Sequence, residues 1–152
     1  MSAEVSALLI HHKAKPFGEI KAALGKIAIL TKRAQTVAEA KHALSELNPP
    51  LLAITESELP DGNWSDVVSL SETAASRVNV IVVGHKIDAK LYASAIEVGA
   101  FDYIAPPFEA KDLTHVVRCA ADNALARRAT AKNSRRTGDQ LLPIAVKSLG
   151  NA

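Results

Sequence analysis

An apolar run that ends in a short polar loop occupies residues 51–62, Leu51-Leu52-Ala53-Ile54-Thr55-Glu56-Ser57-Glu58-Leu59-Pro60-Asp61-Gly62. Residues 8–12, 80–84 and 102–108 repeat this arrangement. A run that is apolar at nearly every position is typical of a parallel strand that is covered on both faces. The stretch therefore predicts a central strand of a parallel sheet, with a polar loop at its carboxyl end.

Short β-rich runs alternate with stretches of helical period along the rest of the chain. Five strands are predicted, at residues 5–10, 26–31, 51–55, 78–83 and 101–104. This alternation is typical of an α/β domain with helices on both faces of the sheet. Because ligands bind at the carboxyl ends of such strands, the loops that begin at His11, Glu56, Gly84 and Ala105 are expected to converge.

Capping residues predict the helices. Thr36-Val37-Ala38-Glu39 is a capping-box pattern that starts a second helix, whose buried stripe is expected at Val37, Ala40, Leu44 and Leu47. A first helix is predicted from Pro16 to a stop at Gly25, and a third around 64–74. Asp88 is expected to cap a fourth helix that exits at Gly99, and a fifth begins near Leu113.

The length of 152 residues fits one domain with a terminal appendage. We predict the domain at 1–127, and a basic linker with a short apolar tail at 128–152. Residues 111–136 hold seven basic and two acidic residues, a balance of +5 in a chain whose net charge is +2. One basic patch without interleaved aromatic residues favours a solvated linker over a nucleic-acid interface.

The remaining sequence features indicate where the protein is located in the cell and which kinds of chemistry it does not perform. The N-terminus lacks a signal peptide, no apolar run approaches the ~20 residues that span a bilayer, and Cys119 has no partner for an internal disulfide. We therefore expect a cytoplasmic protein. The chain contains no P-loop, dinucleotide fingerprint or pair of nucleophile and base, which predicts neither an enzyme nor a cofactor.

Two motifs carry a family resemblance. Glu56-Ser57-Glu58-Leu59-Pro60-Asp61-Gly62 is similar to Asp-x-x-Leu-Pro-Asp-Gly, and Gly99-Ala100-Phe101-Asp102-Tyr103 with Pro107-Phe108 is similar to Gly-Ala-x-Asp-Tyr-x-x-Lys-Pro-Phe. Both resemble the receiver domain of bacterial two-component response regulators, over residues 5 to about 127. The resemblance implies a flavodoxin-like, doubly wound five-stranded sheet with strand order 2-1-3-4-5, and a cis peptide before Pro107.

The resemblance also implies that the chemistry of the family is degenerate here. Glu56 stands at the position of the phosphorylated Asp, and His11-His12 at the acidic pair that holds Mg²⁺. Gly84 and Pro106 stand at the positions of the hydroxyl residue and the Lys, and Tyr103 retains the switch aromatic. Mg²⁺ prefers oxygen ligands, so imidazoles in place of two carboxylates should largely abolish its binding.

These substitutions predict a phosphorylation-independent pseudo-receiver, a protein-interaction module of bacterial two-component signalling that holds no metal. The expected partner is a histidine kinase, a downstream effector or a second copy in a homodimer. By the habit of the family, the interaction face is expected near Tyr92, Tyr103, His115 and Arg118. Two alternatives stay open: a phosphorelay receiver that accepts phosphate at Glu56, and a metal-binding sensor that uses His11, His12 and Glu56, with His85 nearby.

Overall fold

The computed structural model describes the backbone of residues 5–151 and the side chains of residues 5–132. The strands are β1 (Ser6–Ile10), β2 (Leu30–Ala34), β3 (Leu52–Glu56), β4 (Glu58–Leu59), β5 (Gly62–Asn63), β6 (Asn79–Val83) and β7 (Asp102–Ile104). The helices are α1 (Phe17–Lys26), α2 (Val37–Leu44), α3 (Trp64–Glu72), α4 (Ala89–Val98) and α5 (Ala110–Asn151). No helix among the described residues combines the length and apolarity needed to cross a bilayer.

Five strands form one parallel sheet in the order β2-β1-β3-β6-β7. Since β6 and β7 are the fourth and fifth strands of this sheet, the predicted order 2-1-3-4-5 is confirmed. β1, β3 and β6 are buried along their whole length, as expected for parallel strands covered on both faces. β4 and β5 form a separate two-residue antiparallel hairpin after β3.

Two apolar cores hold the layers together. On one face of the sheet, α1 and α5 bury Phe17, Ile20 and Val117. On the other face, α2, α3 and α4 bury side chains that include Leu44 and Val67. The domain is therefore a three-layer α/β/α sandwich in which every parallel strand has its carboxyl end at the same edge.

The second strand lies later in the chain than predicted. The expected strand at 26–31 is wrong because α1 continues to Lys26 and the chain then turns at Ala28, whose φ is 59°. The amide of Ile29 closes this turn on the carbonyl of Leu24, and the Ile29 side chain is buried there. β2 is an edge strand that fully buries only Ala34, so its sequence does not need to be apolar.

The second helix starts as predicted but ends earlier. Thr36 Oγ1 accepts the Glu39 amide at 3.1 Å. Glu39 Oε1 accepts the amide of Gln35 at 3.0 Å, one residue before the cap. α2 ends at Leu44, and Leu47 is 93% exposed, so its predicted place in the buried stripe is wrong.

Asp61, in the turn between β4 and β5, also caps α2. Its two carboxylate oxygens accept the amides of Val37 at 2.7 Å and Ala38 at 3.1 Å. These hydrogen bonds, that of Val37 first, lower the pKa of Asp61 below its ordinary value. The motif after β3 therefore ties the start of α2 to the edge of the sheet where the strands end.

The third and fourth helices follow their predicted signals. Asn63 and Asp66 form a capping box at the start of α3. Asp88 Oδ1 accepts the Leu91 amide at 3.1 Å, and α4 ends at Gly99, whose φ is 126°. That value lies in the left-handed region where glycine is favoured, which explains the exit at this residue.

Helix α5 continues across the predicted boundary at 127/128. Arg128, assigned by the sequence to the linker, donates from Nε to the carbonyl of Arg77 at 2.8 Å, and from Nη2 to those of Pro49 and Pro50 at 3.1 and 3.0 Å. This anchors the helix to the loops before β3 and β6. The side chains of the apolar run 141–146 lie outside the described residues, and the division of the chain stays a prediction.

Candidate functional site

The loops after β1, β3 and β6 converge, as the topology requires. They enclose a cleft of about 430 Å³ whose lining includes His12, Lys13, Glu56, Gly84 and His85. Pro106, in the loop after β7, lines an adjacent cleft that shares Gly84 and His85. The structure therefore brings most of the predicted pocket residues to one edge of the sheet.

Glu56 is the buried carboxylate of this pocket, and both of its oxygens are engaged. The side chain is anchored at the end of β3, where the residue is 9% exposed and pairs in register with Val83. Oε1 accepts the backbone amide of Lys13 at 2.9 Å. Oε2 lies 2.8 Å from His12 Nδ1, which faces it from the same loop. The loop after β1 thus closes over the carboxylate with one imidazole and one amide.

His11 faces away from this pocket. Its Nδ1 lies 2.6 Å from the carbonyl of Lys13, and because a carbonyl can only accept, Nδ1 carries the proton. The ring is buried and stacks on Phe17, with centroids 4.1 Å apart and planes 9° from parallel. Burial lowers the pKa of His11 below its ordinary value of 6.5. His11 therefore braces the loop that delivers the Lys13 amide to Glu56.

This arrangement does not assemble the ligand set expected for a metal sensor. His12 and Glu56 are paired, but His11 does not line the cleft. Among the residues that the structure describes, no group of three His, Cys, Asp or Glu side chains could hold a metal ion. Adjacent residues after β1 leave the strand on different sides, His11 into the core and His12 into the pocket, so the two imidazoles do not face Glu56 together.

Tyr103 occupies the space next to Gly84. It is 7% exposed, and its hydroxyl donates to the carbonyl of Lys86 at 2.7 Å. A Cβ added to Gly84 would lie 1.9 Å from Tyr103 Oη and 2.6 Å from Cζ, inside any permitted contact. Burial, followed by the charge of Asp88, raises the pKa of Tyr103. Only a residue without a side chain at position 84 is compatible with this buried Tyr103.

The expected interaction residues divide between two faces. Tyr92 lies half exposed on α4, edge-on to Tyr103 with a centroid distance of 6.4 Å. His115 and Arg118 line a cleft on α5 beside Lys26, at the end of α1. α5 packs on one face of the sheet and α4 on the other, with the edge strand β7 between them, and the interaction face stays a prediction.

Sequence reasoning overlooked three contributors to this region. The Lys13 amide is a backbone donor, and no residue type marks it. Ile87, which precedes α4, and Ile96, which lies on it, are 81% and 39% exposed, and Ile96 follows the half-exposed Tyr92 by one helical turn. The available signal was the sequence of α4, AKLYASAIEV, which carries apolar residues on more faces than packing on the sheet requires.

The peptide between Pro106 and Pro107 is cis, as the resemblance implied.

Comparisons with known proteins agree with this geometry. The chain is 32% identical over 118 residues to the photosynthetic apparatus regulatory protein RegA of Cereibacter sphaeroides, covering 77% of this chain and 63% of RegA. It is 28% identical over 97 residues to the response regulator protein PilR of Pseudomonas aeruginosa, covering 64% of this chain and 22% of PilR. The chain therefore spans less than two thirds of the length of these relatives. No protein-family model matches it.

Solved structures show the same fold. A CheY-like response regulator receiver domain protein from Methanospirillum hungatei superposes with a TM-score of 0.68 at 17% identity, covering 82% of this chain and 98% of that one. The architecture is thus that of a receiver domain, with its pocket at the carboxyl edge of the sheet. The sequence relatives are response regulators and the structural neighbours carry the receiver fold, so the chain resembles the receivers of two-component response regulators.

Proposed function

We propose that this receiver works without phosphorylation, as a protein-interaction module of two-component signalling. The observation that carries the proposal is the state of Glu56, whose two oxygens are both engaged by the loop after β1. A carboxylate acts as a nucleophile only when an oxygen can approach the phosphorus in reactive geometry. His12 and the Lys13 amide occupy those approaches and hold the carboxylate in place.

The pocket also lacks the ligands that phosphoryl transfer requires. Mg²⁺ favours several oxygen ligands at short distances. Beside Glu56, the cleft offers the exposed carboxylate of Glu58, together with His12 and His85. His12 faces Glu56 from the position at which the family places a metal-binding carboxylate, so an imidazole nitrogen contacts Glu56 where the family holds an oxygen ligand for Mg²⁺. Pro106 adds no cation for a phosphoryl oxygen.

The buried Tyr103 supports a single conformational state. A two-position switch needs both an inner and an outer site of comparable free energy. Here the inner site exists because Gly84 has no side chain, and it gives the Tyr103 hydroxyl a partner at 2.7 Å. We infer that the domain presents one constant surface, and that a kinase, an effector or a second copy of the chain recognises it in the cytoplasm.

Treatment with acetyl phosphate and Mg²⁺, followed by intact-protein mass spectrometry, tests the proposal. We expect no stable phosphoryl adduct on the parent, while a receiver with the full acidic pocket is modified under the same conditions. Glu56→Gln and Glu58→Gln form a matched pair, since both carboxylates line the cleft. A phosphoryl group that survives in Glu58→Gln and disappears in Glu56→Gln would establish the phosphorelay alternative instead.

The α4 surface is the favoured interaction face. Ile87, Tyr92 and Ile96 expose apolar area there, and clustered exposed apolar residues mark interaction sites. Ile96→Asp should weaken partner binding or self-association, whereas Ser94→Asp, at an exposed position of the same helix, should have little effect. Sedimentation velocity measures self-association, and equal behaviour of the two variants would exclude this face.

A further inference from the structure

A second cleft opens beside the Glu56 pocket, between the start of α1 and the loops after β6 and β7. Its volume is about 720 Å³, and its lining includes Lys15, Pro16, Gly18, Gly84, His85 and Pro106. Lys15, Pro16, Gly84 and His85 also line the Glu56 pocket, so the two clefts are continuous. Sites for small molecules have volumes of roughly 300–1,000 Å³, and this cleft lies in that range.

The walls of this cleft are largely apolar. Pro16 and Pro106 contribute rings from the loops after β1 and β7, while Gly18 and Gly84 contribute only backbone atoms. Planar apolar molecules suit such walls, because their burial removes apolar area from water without leaving polar groups unpaired. A bare inorganic anion would leave most of this surface in contact with water.

Two groups in the cleft can receive an anion. Lys15, which carries an amine, and His85, which carries an imidazole, both line it. Across residues 5–132, no carboxylate lies within 4.0 Å of the Lys15 amine, so Lys15 has no direct ion-pair partner there.

Glu19 limits the charge that the cleft accepts. It lies in the first turn of α1 and lines the same cleft. Because one carboxylate lines the cleft together with one ammonium group, a ligand with a single acidic group is favoured over a polyanion, which Glu19 would repel. The geometry thus selects a molecule that is mostly apolar and carries one negative charge.

We propose that this cleft binds a small aromatic acid, with its ring between Pro16 and Pro106 and its acidic group on Lys15 and His85. The binding itself does not depend on whether Glu56 is phosphorylated. Its consequence rests on the proposed function: in a receiver that no phosphoryl group switches, a ligand at the carboxyl edge of the sheet supplies the input. The loop of His12 and Lys13, which closes over Glu56, borders the site and would respond to it.

Fluorescence titration of the full chain with 8-anilinonaphthalene-1-sulfonate, an aromatic acid, tests the site. Gly18→Leu and Gly25→Leu form a matched pair, because both glycines lie on α1 and a Cβ at either has no heavy atom within 4 Å. Only Gly18 lines the cleft. We expect saturable binding by the parent, an affinity lowered about tenfold or more by Gly18→Leu because the leucine side chain fills part of the cleft, and no change in Gly25→Leu.

A second pair of variants tests the recognition of the acidic group. Lys15→Gln should weaken sulfonate binding by about tenfold, the usual scale for a hydrogen bond to a charged group, whereas Lys41→Gln on α2 should not. The neutral analogue N-phenyl-1-naphthylamine should bind the parent and Lys15→Gln equally. Circular dichroism and thermal unfolding establish that every variant remains folded.

Three outcomes would overturn the proposal: absence of saturable binding, equal loss in the two glycine variants, or indifference to Lys15→Gln. None of these depends on the phosphodonor experiment. A phosphoryl group on Glu56 would contradict the proposed function and leave the titrations unchanged, so failure of one proposal can be told from failure of the other.

Discussion

Gly84→Ala should destabilise the domain by displacing Tyr103. The new Cβ would lie 1.9 Å from Tyr103 Oη and 2.6 Å from Cζ, and Tyr103 is held there by its hydrogen bond to the Lys86 carbonyl. Displacement would lose that hydrogen bond, about 0.5–1.5 kcal/mol, and part of the burial of the ring, about 1.5–3 kcal/mol. The lower chain entropy of alanine in the unfolded state returns about 0.4–1 kcal/mol.

The net cost is therefore about 1–4 kcal/mol, given that each contribution varies with context. With an m-value of about 2 kcal/mol/M, the urea midpoint should fall by roughly 0.5–2 M. Gly25→Ala is the matched control, because it lies in α1 with free space around its Cβ, and it should stabilise the domain by up to about 1 kcal/mol.

A double-mutant cycle isolates the contact between the two residues. In a Tyr103→Ala background the partner of the clash is absent, so Gly84→Ala should cost less than about 0.5 kcal/mol, which is the scale of additivity for independent sites. If Gly84→Ala costs as much in that background as in the parent, the steric explanation for the buried Tyr103 is wrong.

Three further predictions concern single side chains that stabilise the fold. The folded-state pKa of His11 is depressed, so its contribution to stability is present above the ordinary value of 6.5 and is lost as pH falls through the folded pKa. In a series of urea midpoints measured against pH, His11→Phe should flatten the decrease below pH 6.5. An unchanged series would contradict this prediction. The pKa of Asp61 is also depressed, so the stability that Asp61 contributes is present above the ordinary value of 3.8 and is lost as pH falls further. Asp61→Asn should therefore reduce the fall of the thermal midpoint in acid. Asp66 variants, which alter the cap of α3, provide the comparison. Asn79→Ala should cost about 1–3 kcal/mol in urea unfolding, because the buried Asn79 amide donates to the Ala120 carbonyl at 2.9 Å, and a cost near zero would show that this link between β6 and α5 is dispensable.

Local patterns were enough for much of the architecture. The apolar runs at β1, β3 and β6 predicted central strands, because a strand covered on both faces has no polar side. Asp88 and Gly99 marked the two ends of α4, since side-chain capping and positive φ are decided within a few residues. The edge strand β2 was not predicted at its correct place. Ile27 and Ile29 are residue types typical of a strand, yet they lie in and around the turn that follows α1.

The candidate site could be predicted only in part from the sequence, and the tertiary structure was needed for the rest. The sequence by itself determined which residue types stand at the carboxyl edge of the sheet: Glu56, His11, His12, Gly84 and Pro106. The tertiary structure decided what they do, because contacts between residues far apart in the chain have no local signature. It separated His11 from His12 across the loop, brought the Lys13 amide to Glu56, and placed the ring of Tyr103 in the volume that a side chain at Gly84 would fill.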